Sequence, residues 1–212
     1  MVLLEAFRRV LVLAPHTDDE FGCAGTMLRL LEAGAEVHYL ALSRCEDSLP
    51  AGLPLDTLEV ECRACLAALG VPEFNVHLSG YGVRHFPEYR QQILEAFVEF
   101  RKDLEPDLVL LPSSYDTHQD HETVAREGFR AFKTCSILGY ELPQNLITFR
   151  NTAFVALTPE QLDRKTAALR LYRSQAFREY AADDFITGLA HLRGVQCGRR
   201  YAEAFEVVRL IA

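Results

Sequence analysis

The sequence predicts an α/β fold, a three-layer sandwich in which a mostly parallel sheet carries helices on both faces, and three observations lead to it. Short apolar runs rich in branched residues, such as Arg9–Ala14 and Asp107–Leu111, have the pattern of strands buried on both faces. Stretches with apolar residues at helical spacing lie between these runs. Glycine and proline punctuate the joints, at Gly34, Gly70, Pro72 and Pro106.

The first strand is Arg9–Ala14 (RVLVLA). Thr17-x-x-Glu20 has the form of a capping box ahead of a helix over Phe21–Ala33, which Gly34 stops. Glu36–Leu42 gives the second strand, Leu55–Leu69 the next helix and Phe74–Leu78 a short third strand. Ile93, Phe97 and Phe100 share one face of a helix over Glu88–Leu104, ahead of the fourth strand at Asp107–Leu111. Four strand–helix units in series, joined by right-handed crossovers, make the layout Rossmann-like. Past Ala131 the pattern gives strands at Ser136–Glu141 and Thr152–Ala156, helices at Pro159–Ser174 and Asp183–Arg193, and a last strand near Ala204–Val208.

The 212 residues suit one domain spanning 1–212, since domains commonly run to about 100–200 residues. A hydrophobic fraction of 49% and a charged fraction of 25% are those of a chain that folds alone. The formal net charge of −8 lacks the basic footprint that phosphates require, so nucleic acid is excluded as an expected partner. Glu5, Arg8 and Arg9 interrupt the opening segment before a secretory apolar core can form, and no run approaches the ~18 apolar residues of a membrane span. With six scattered cysteines, this leads to the expectation of a cytoplasmic protein with reduced thiols and no permanent membrane anchor. Whether it forms a homo-oligomer is left open. Cys62-x-x-Cys65 sits in a helix without a second pair and reads as inert.

In open parallel sheets ligands lie beyond the carboxyl ends of the strands. Two of the loops there carry unusual polar clusters: His16-Thr17-Asp18-Asp19-Glu20 after the first strand, and Asp116-Thr117-His118-Gln119-Asp120-His121 after the fourth. The pairs His16/Asp19 and His118/His121 are spaced i, i+3, so on a helical turn each pair faces one way. Imidazole and carboxylate are zinc ligands, and a catalytic zinc site uses three of them with a position open to water. Four candidates are present, and spacing does not choose among them. Adjacent Asp18 and Asp19 diverge on a turn, so one can ligate while its neighbour faces the catalytic water as a general base. Asp18 and Asp19 alone would equally suit a helix dipole, or magnesium in a phosphoryl-accepting domain. Two clusters on one sheet edge favour a shared ion, because stability gives no reason to gather titratable groups in one cleft.

These residues resemble the motifs of the PIG-L/LmbE family of metal-dependent N-deacetylases. The family's His-Pro-Asp-Asp-Glu and Gly-x-Gly-Gly-Thr appear as His16–Glu20 and Gly22–Thr26, and its His-x-Asp-His as His118–His121. The likeness extends to Tyr172–Gln175, Arg193-Gly194 and Tyr201–Phe205. The resemblance implies removal of an N-acetyl or other N-acyl group from an amino-sugar derivative, such as an N-acetylglucosamine conjugate. It implies Zn2+ as cofactor, with Fe2+ or another divalent ion compatible with the same ligands. His16, Asp19 and His121 match the metal ligands, Asp18 the base, and His118, in its protonated form, the group that stabilises the oxyanion. Asp120 matches the partner that orients His118. Thr17 replaces the usual proline and is expected to fix the loop by capping the helix.

For the small-molecule N-acylated sugar, the loops Ser43–Pro54, Ser79–Pro87 and Pro112–His121 offer Arg44, Tyr81, Arg84, His85 and Tyr115 as contacts to hydroxyls or phosphate. Two other readings are a hydrolase of another amide or ester and a non-catalytic module that binds a cation or phosphate. The first is separated by the product released, the second by turnover.

Overall fold

The computed structural model describes residues 3–211. Its elements are β1 (Arg9–Ala14), α1 (Ala24–Glu32), β2 (Glu36–Ala41), α2 (Thr57–Leu69), β3 (Val76–Leu78), α3 (Arg90–Leu104) and β4 (Leu108–Pro112). There follow α4 (Gln119–Ala131), β5 (Ser136–Tyr140), β6 (Ala153–Leu157), α5 (Pro159–Leu169), α6 (Asp183–Gln196) and β7 (Tyr201–Arg209). The seven strands form one sheet in the order β3-β2-β1-β4-β5-β7-β6. Neighbours from β3 to β5 pair in parallel, and β7 runs antiparallel to both β5 and β6.

Strand alternation divides the core into two layers. Val10, Val12 and Ala14 pack with Val37 and Tyr39 toward Met27 of α1, Leu66 of α2 and Leu169 of α5. Leu11 and Leu13 pack with Leu40 and Val109 toward Ile93 and Phe97 of α3 and Val124 of α4. Val10 through Ala14 are fully buried, so β1 reads as an unbroken apolar run because both of its faces are covered.

The sequence reading differs from the structure at three places. The Thr17/Glu20 capping box does not form: a 3-10 turn, Asp19–Gly22, comes first, and α1 begins at Ala24. Glu20 is instead held by the hydroxyls of Tyr39 (2.8 Å) and Tyr172 (2.6 Å), while among the described residues buried Thr17 Oγ1 has no hydrogen-bond partner. The Glu203 carboxylate takes the capping role at α1, accepting the N–H groups of Gly25 and Thr26 at 2.8 and 2.7 Å and the Thr26 hydroxyl at 2.6 Å. Lys165 Nζ donates to the same carboxylate at 2.7 Å. A Cβ at position 25 would stand 2.6 Å from Leu157 and 2.9 Å from Glu203, which is why glycine is needed there. Second, α5 ends at Leu169, short of Ser174, and a 3-10 turn over Arg173–Gln175 follows. Third, β7 is longer than Ala204–Val208, since it pairs on both sides.

All six cysteines are free, and burial raises the thiol pKa values of Cys62 and Cys65, which sit in the core under α2. No helix among the described residues is long and apolar enough to cross a membrane.

Candidate metal centre and active-site cleft

β1 has β2 on one side and β4 on the other, so the winding of the sheet reverses between β1 and β4. A crevice opens beyond the carboxyl ends of strands at such a reversal. Both polar loops enter it. The loop after β1 brings in His16, Asp18 and Asp19. The loop after β4 brings in Asp116 and ends on His118, the N-cap of α4, which places His121 one turn into the helix.

Two buried carboxylates set the imidazole tautomers. His16 Nε2 lies 3.0 Å from Asp120 Oδ2, and His121 Nδ1 lies 2.9 Å from Asp116 Oδ2. An ionised carboxylate only accepts, so these nitrogens carry protons, and with a cation in place of a second ring proton the opposite nitrogens would present lone pairs to it. Those nitrogens, His16 Nδ1 and His121 Nε2, face each other at 3.1 Å. Asp19 Oδ2 is 3.5 Å from each of them and is held in place by the His16 N–H at 2.7 Å. Three electron-rich atoms converge on one buried point, an arrangement that a cation stabilises. A tetrahedral ion with bonds of about 2.0–2.1 Å has ligand–ligand edges of about 3.3–3.4 Å, which fits this trio. The ring of His118 joins the group: ligand nitrogens of His16, His118 and His121 all lie within 4.8 Å of one another.

The electrostatics agree. Burial disfavours a charged His16 ring, but the charge of Asp19 and the hydrogen bond to Asp120 outweigh it and hold its pKa well above the ordinary value. Positive charge is therefore favoured at this point. Burial works against ionised Asp19 too, yet facing His121 and His16 lowers its pKa. Burial and the Asp19 charge push Asp18 the other way, making it a stronger base than an exposed aspartate. The His118 pKa is lowered, first by burial and then by the other two imidazoles.

The cleft over these groups has a volume of ≈ 320 Å³ and is lined by Asp18, Asp19, His16, His118 and His121 together with Gln144, Asn145, Gln175, Arg178 and Tyr180. Three sequence expectations change here. The Asp120 carboxylate does not orient His118; it holds His16 and accepts the N–H groups of Arg84 (2.6 Å) and Phe86 (3.2 Å). The backbone N–H of Asp120 orients His118 instead, donating to Nδ1 at 3.2 Å, so the neutral ring carries its proton on Nε2 and needs no positive charge to act as a donor. Thr17 fixes its loop through its backbone carbonyl, which accepts from the hydroxyls of Tyr39 (3.2 Å) and Tyr172.

The proposed sugar contacts are not in the walls of this cleft. Exposed Arg44 pairs with Glu59 at 3.2 Å, and exposed His85 with Glu88 at 2.7 Å. Tyr81 packs against Phe86 and Tyr89, Arg84 contributes its backbone, its N–H to Asp120 and its carbonyl to Gln119 Nε2, and the Tyr115 hydroxyl accepts from Arg150 at 3.5 Å. Residues without a sequence assignment line the cleft instead. Asp116 was visible in its cluster, and the need to fix the His121 tautomer is the signal that marks it. Gln175 lies in a motif quoted for the resemblance, whereas nothing in the sequence pattern singled out Arg178.

A mostly parallel sheet with a winding reversal, and at its edge two imidazoles and a carboxylate that could hold a metal ion beside a second carboxylate, define an α/β protein with a candidate metal centre in an open cleft. The chain belongs to the family described as PIG-L, GlcNAc-PI de-N-acetylase, which matches residues 11–132. It is 27% identical over 227 aligned residues to the diacetylchitobiose deacetylase of Thermococcus kodakarensis, covering 95% of this chain and 83% of that protein. Among solved structures, the N,N'-diacetylchitobiose deacetylase of Pyrococcus horikoshii superposes with a TM-score of 0.81 at 22% identity, covering 97% of this chain and 85% of that one. The 4-carboxy-2-hydroxymuconate hydratase of Pseudomonas putida KT2440 shares the fold at a TM-score of 0.79 and 20% identity, covering 97% and 98%.

Proposed function

We propose that this chain is a single-domain, zinc-dependent N-deacetylase that hydrolyses the N-acetyl amide of an amino-sugar derivative. The observation that carries this reading is the convergence of His16 Nδ1, His121 Nε2 and Asp19 Oδ2 beside Asp18 in one open cleft. The family and the deacetylase relative support the reaction class.

His16, Asp19 and His121 hold the divalent ion. When bound, the ion supplies Lewis acidity, polarising the amide carbonyl and making water acidic enough to ionise near neutral pH. Asp18 takes the proton from the attacking water, a role its raised pKa suits. His118 Nε2–H donates to the carbonyl oxygen as it becomes anionic, and the Asp120 N–H on Nδ1 keeps that proton aimed outward. Asp18 then passes its proton to the departing amine, which leaves acetate and the free amino sugar.

The hydratase that shares the fold favours a second reading, addition of water to a different electrophile by the same centre. Measuring amine release from a panel of N-acetylglucosamine derivatives separates the two. Amine and acetate in equal amounts, abolished by a chelator and restored by zinc, are the expected result. Absence of amine release from every N-acetylated sugar in zinc-loaded protein overturns the proposal.

A further inference from the structure

Among the described residues, Arg178 is the one Arg or Lys that lines the cleft. It is held rigidly. Its Nε donates to Gln175 Oε1 at 2.7 Å, Gln175 Nε2 donates to Ser174 Oγ at 3.2 Å, and Ser174 Oγ–H donates to Glu61 Oε2 at 2.6 Å. Glu61 also accepts the Ser174 N–H at 2.9 Å, tying the relay to α2. Such a chain of donors pointing one way polarises along its length. The guanidinium carbon lies 5.1 Å from the Phe177 ring and 5.7 Å from that of Tyr180, which fixes the plane of the fork.

Only Nε is used in this arrangement. Among the described residues no carboxylate forms an ion pair with Arg178, and neither Nη makes a hydrogen bond within the protein. A half-buried guanidinium, braced on one edge and carrying two parallel donors on the other, is built to meet a planar or tetrahedral oxyanion end-on. The rest of the cleft needs that cation for an anionic guest, because Asp18 and Asp19 line the same cleft and the chain carries a net charge of −8.

We propose that Arg178 is a specificity-determining residue that anchors an anionic substituent, phosphate or carboxylate, on the acylated sugar. This rests on the deacetylase reading above. Gln175 and Ser174 act as positioning residues for it.

The test compares neutral N-acetylglucosamine with N-acetylglucosamine 6-phosphate, N-acetylglucosamine 1-phosphate and an N-acetylhexosaminuronic acid, in zinc-loaded wild type, Arg178→Gln, Arg178→Lys and Ser174→Ala. The wild type is expected to favour at least one anionic substrate by about tenfold or more in kcat/KM, the worth of a charge-assisted paired contact. That ratio falls to near unity in Arg178→Gln and to an intermediate value in Arg178→Lys and Ser174→Ala. The phosphate and uronate arms identify which oxyanion is taken. Calorimetric binding of the amine products gives a readout independent of turnover: the anionic product should bind the wild type tighter than glucosamine and lose that advantage in Arg178→Gln. Equal kcat/KM for neutral and anionic substrates in the wild type, or an anionic preference that survives Arg178→Gln, overturns the inference while leaving the deacetylase reading intact. No amine release from any of them overturns the deacetylase reading first.

Discussion

At the scale of single residues, the centre depends on what each side chain faces more than on what it is. Asp18 and Asp19 are chemically identical neighbours, yet their surroundings drive their pKa values apart: burial and the adjacent carboxylate raise Asp18, whereas the facing imidazoles lower Asp19. Asp18→Asn should therefore lose about 10²–10⁴-fold in kcat while keeping its metal, a split read by kinetics alongside metal analysis. Loss of metal with activity would make Asp18 a ligand. Asp116→Asn should act in the opposite way, weakening metal affinity about 10–100-fold by releasing the His121 tautomer, as a competitive chelator titration would register.

Glu20 gives a pH signature. Burial, opposed by hydrogen bonds from Tyr172, Cys65 and Tyr39, pushes its carboxyl from 4.5 up to about 7. The folded state thus holds a proton that the unfolded chain has released. That stabilisation is complete below about pH 4.5 and is lost as pH rises through about 7, an effect on the order of 3 kcal/mol. Urea unfolding of wild type and Glu20→Gln across this window should show the wild type losing stability relative to the variant as pH rises. Parallel curves would show that Glu20 does not ionise there.

At the scale of elements, the loop after β1 and the start of α1 form one unit locked from a distance. Glu203 on β7 and Lys165 on α5 are both buried, and their pair sits on the first N–H groups of α1, where the helix dipole favours the carboxylate. Lys165→Met leaves that carboxylate buried without its cation and should destabilise the fold by about 3–5 kcal/mol in chemical denaturation. Lys165→Met with Glu203→Gln should recover part of the loss, since no charge is then stranded. The Glu203 contact explains why local reading failed at this helix. Thr17 and Glu20 have the right spacing for a capping box, but β2 and the segment after α5 supply tyrosine hydroxyls that claim Glu20, and a residue from the end of the chain caps the helix. Such long-range substitutions leave no trace in local spacing. The same cause hid the orienting partners: Asp120 was legible as a carboxylate beside two histidines, but its choice of His16 over His118 is made by the packing of β1 against β4.

At the scale of the whole molecule, the sheet supplies the address of the site. Buried branched runs and helical spacing were enough to place β1 to β4 and the helices between them, because a strand covered on both faces must be apolar throughout. Locating both clusters at one sheet edge followed from that alone. The antiparallel course of β7 was not legible, since alternation in a strand does not encode direction. Nor were the cleft walls, because Gln175, Arg178 and Tyr180 come from irregular 3-10 turns between α5 and α6 whose position is set by contacts with α2 and the β1 loop. The loop residues read as substrate contacts lie outside the cleft lining, and residues between the helices read at Pro159–Ser174 and Asp183–Arg193 line it instead.

The convergence of donors from loops about a hundred residues apart is most directly tested by metal content. Wild-type protein and His121→Ala, purified in parallel and equilibrated with zinc, should hold about one equivalent and almost none, with both variants still folded by circular dichroism. A His121→Ala protein that keeps one tightly bound equivalent would contradict the shared centre.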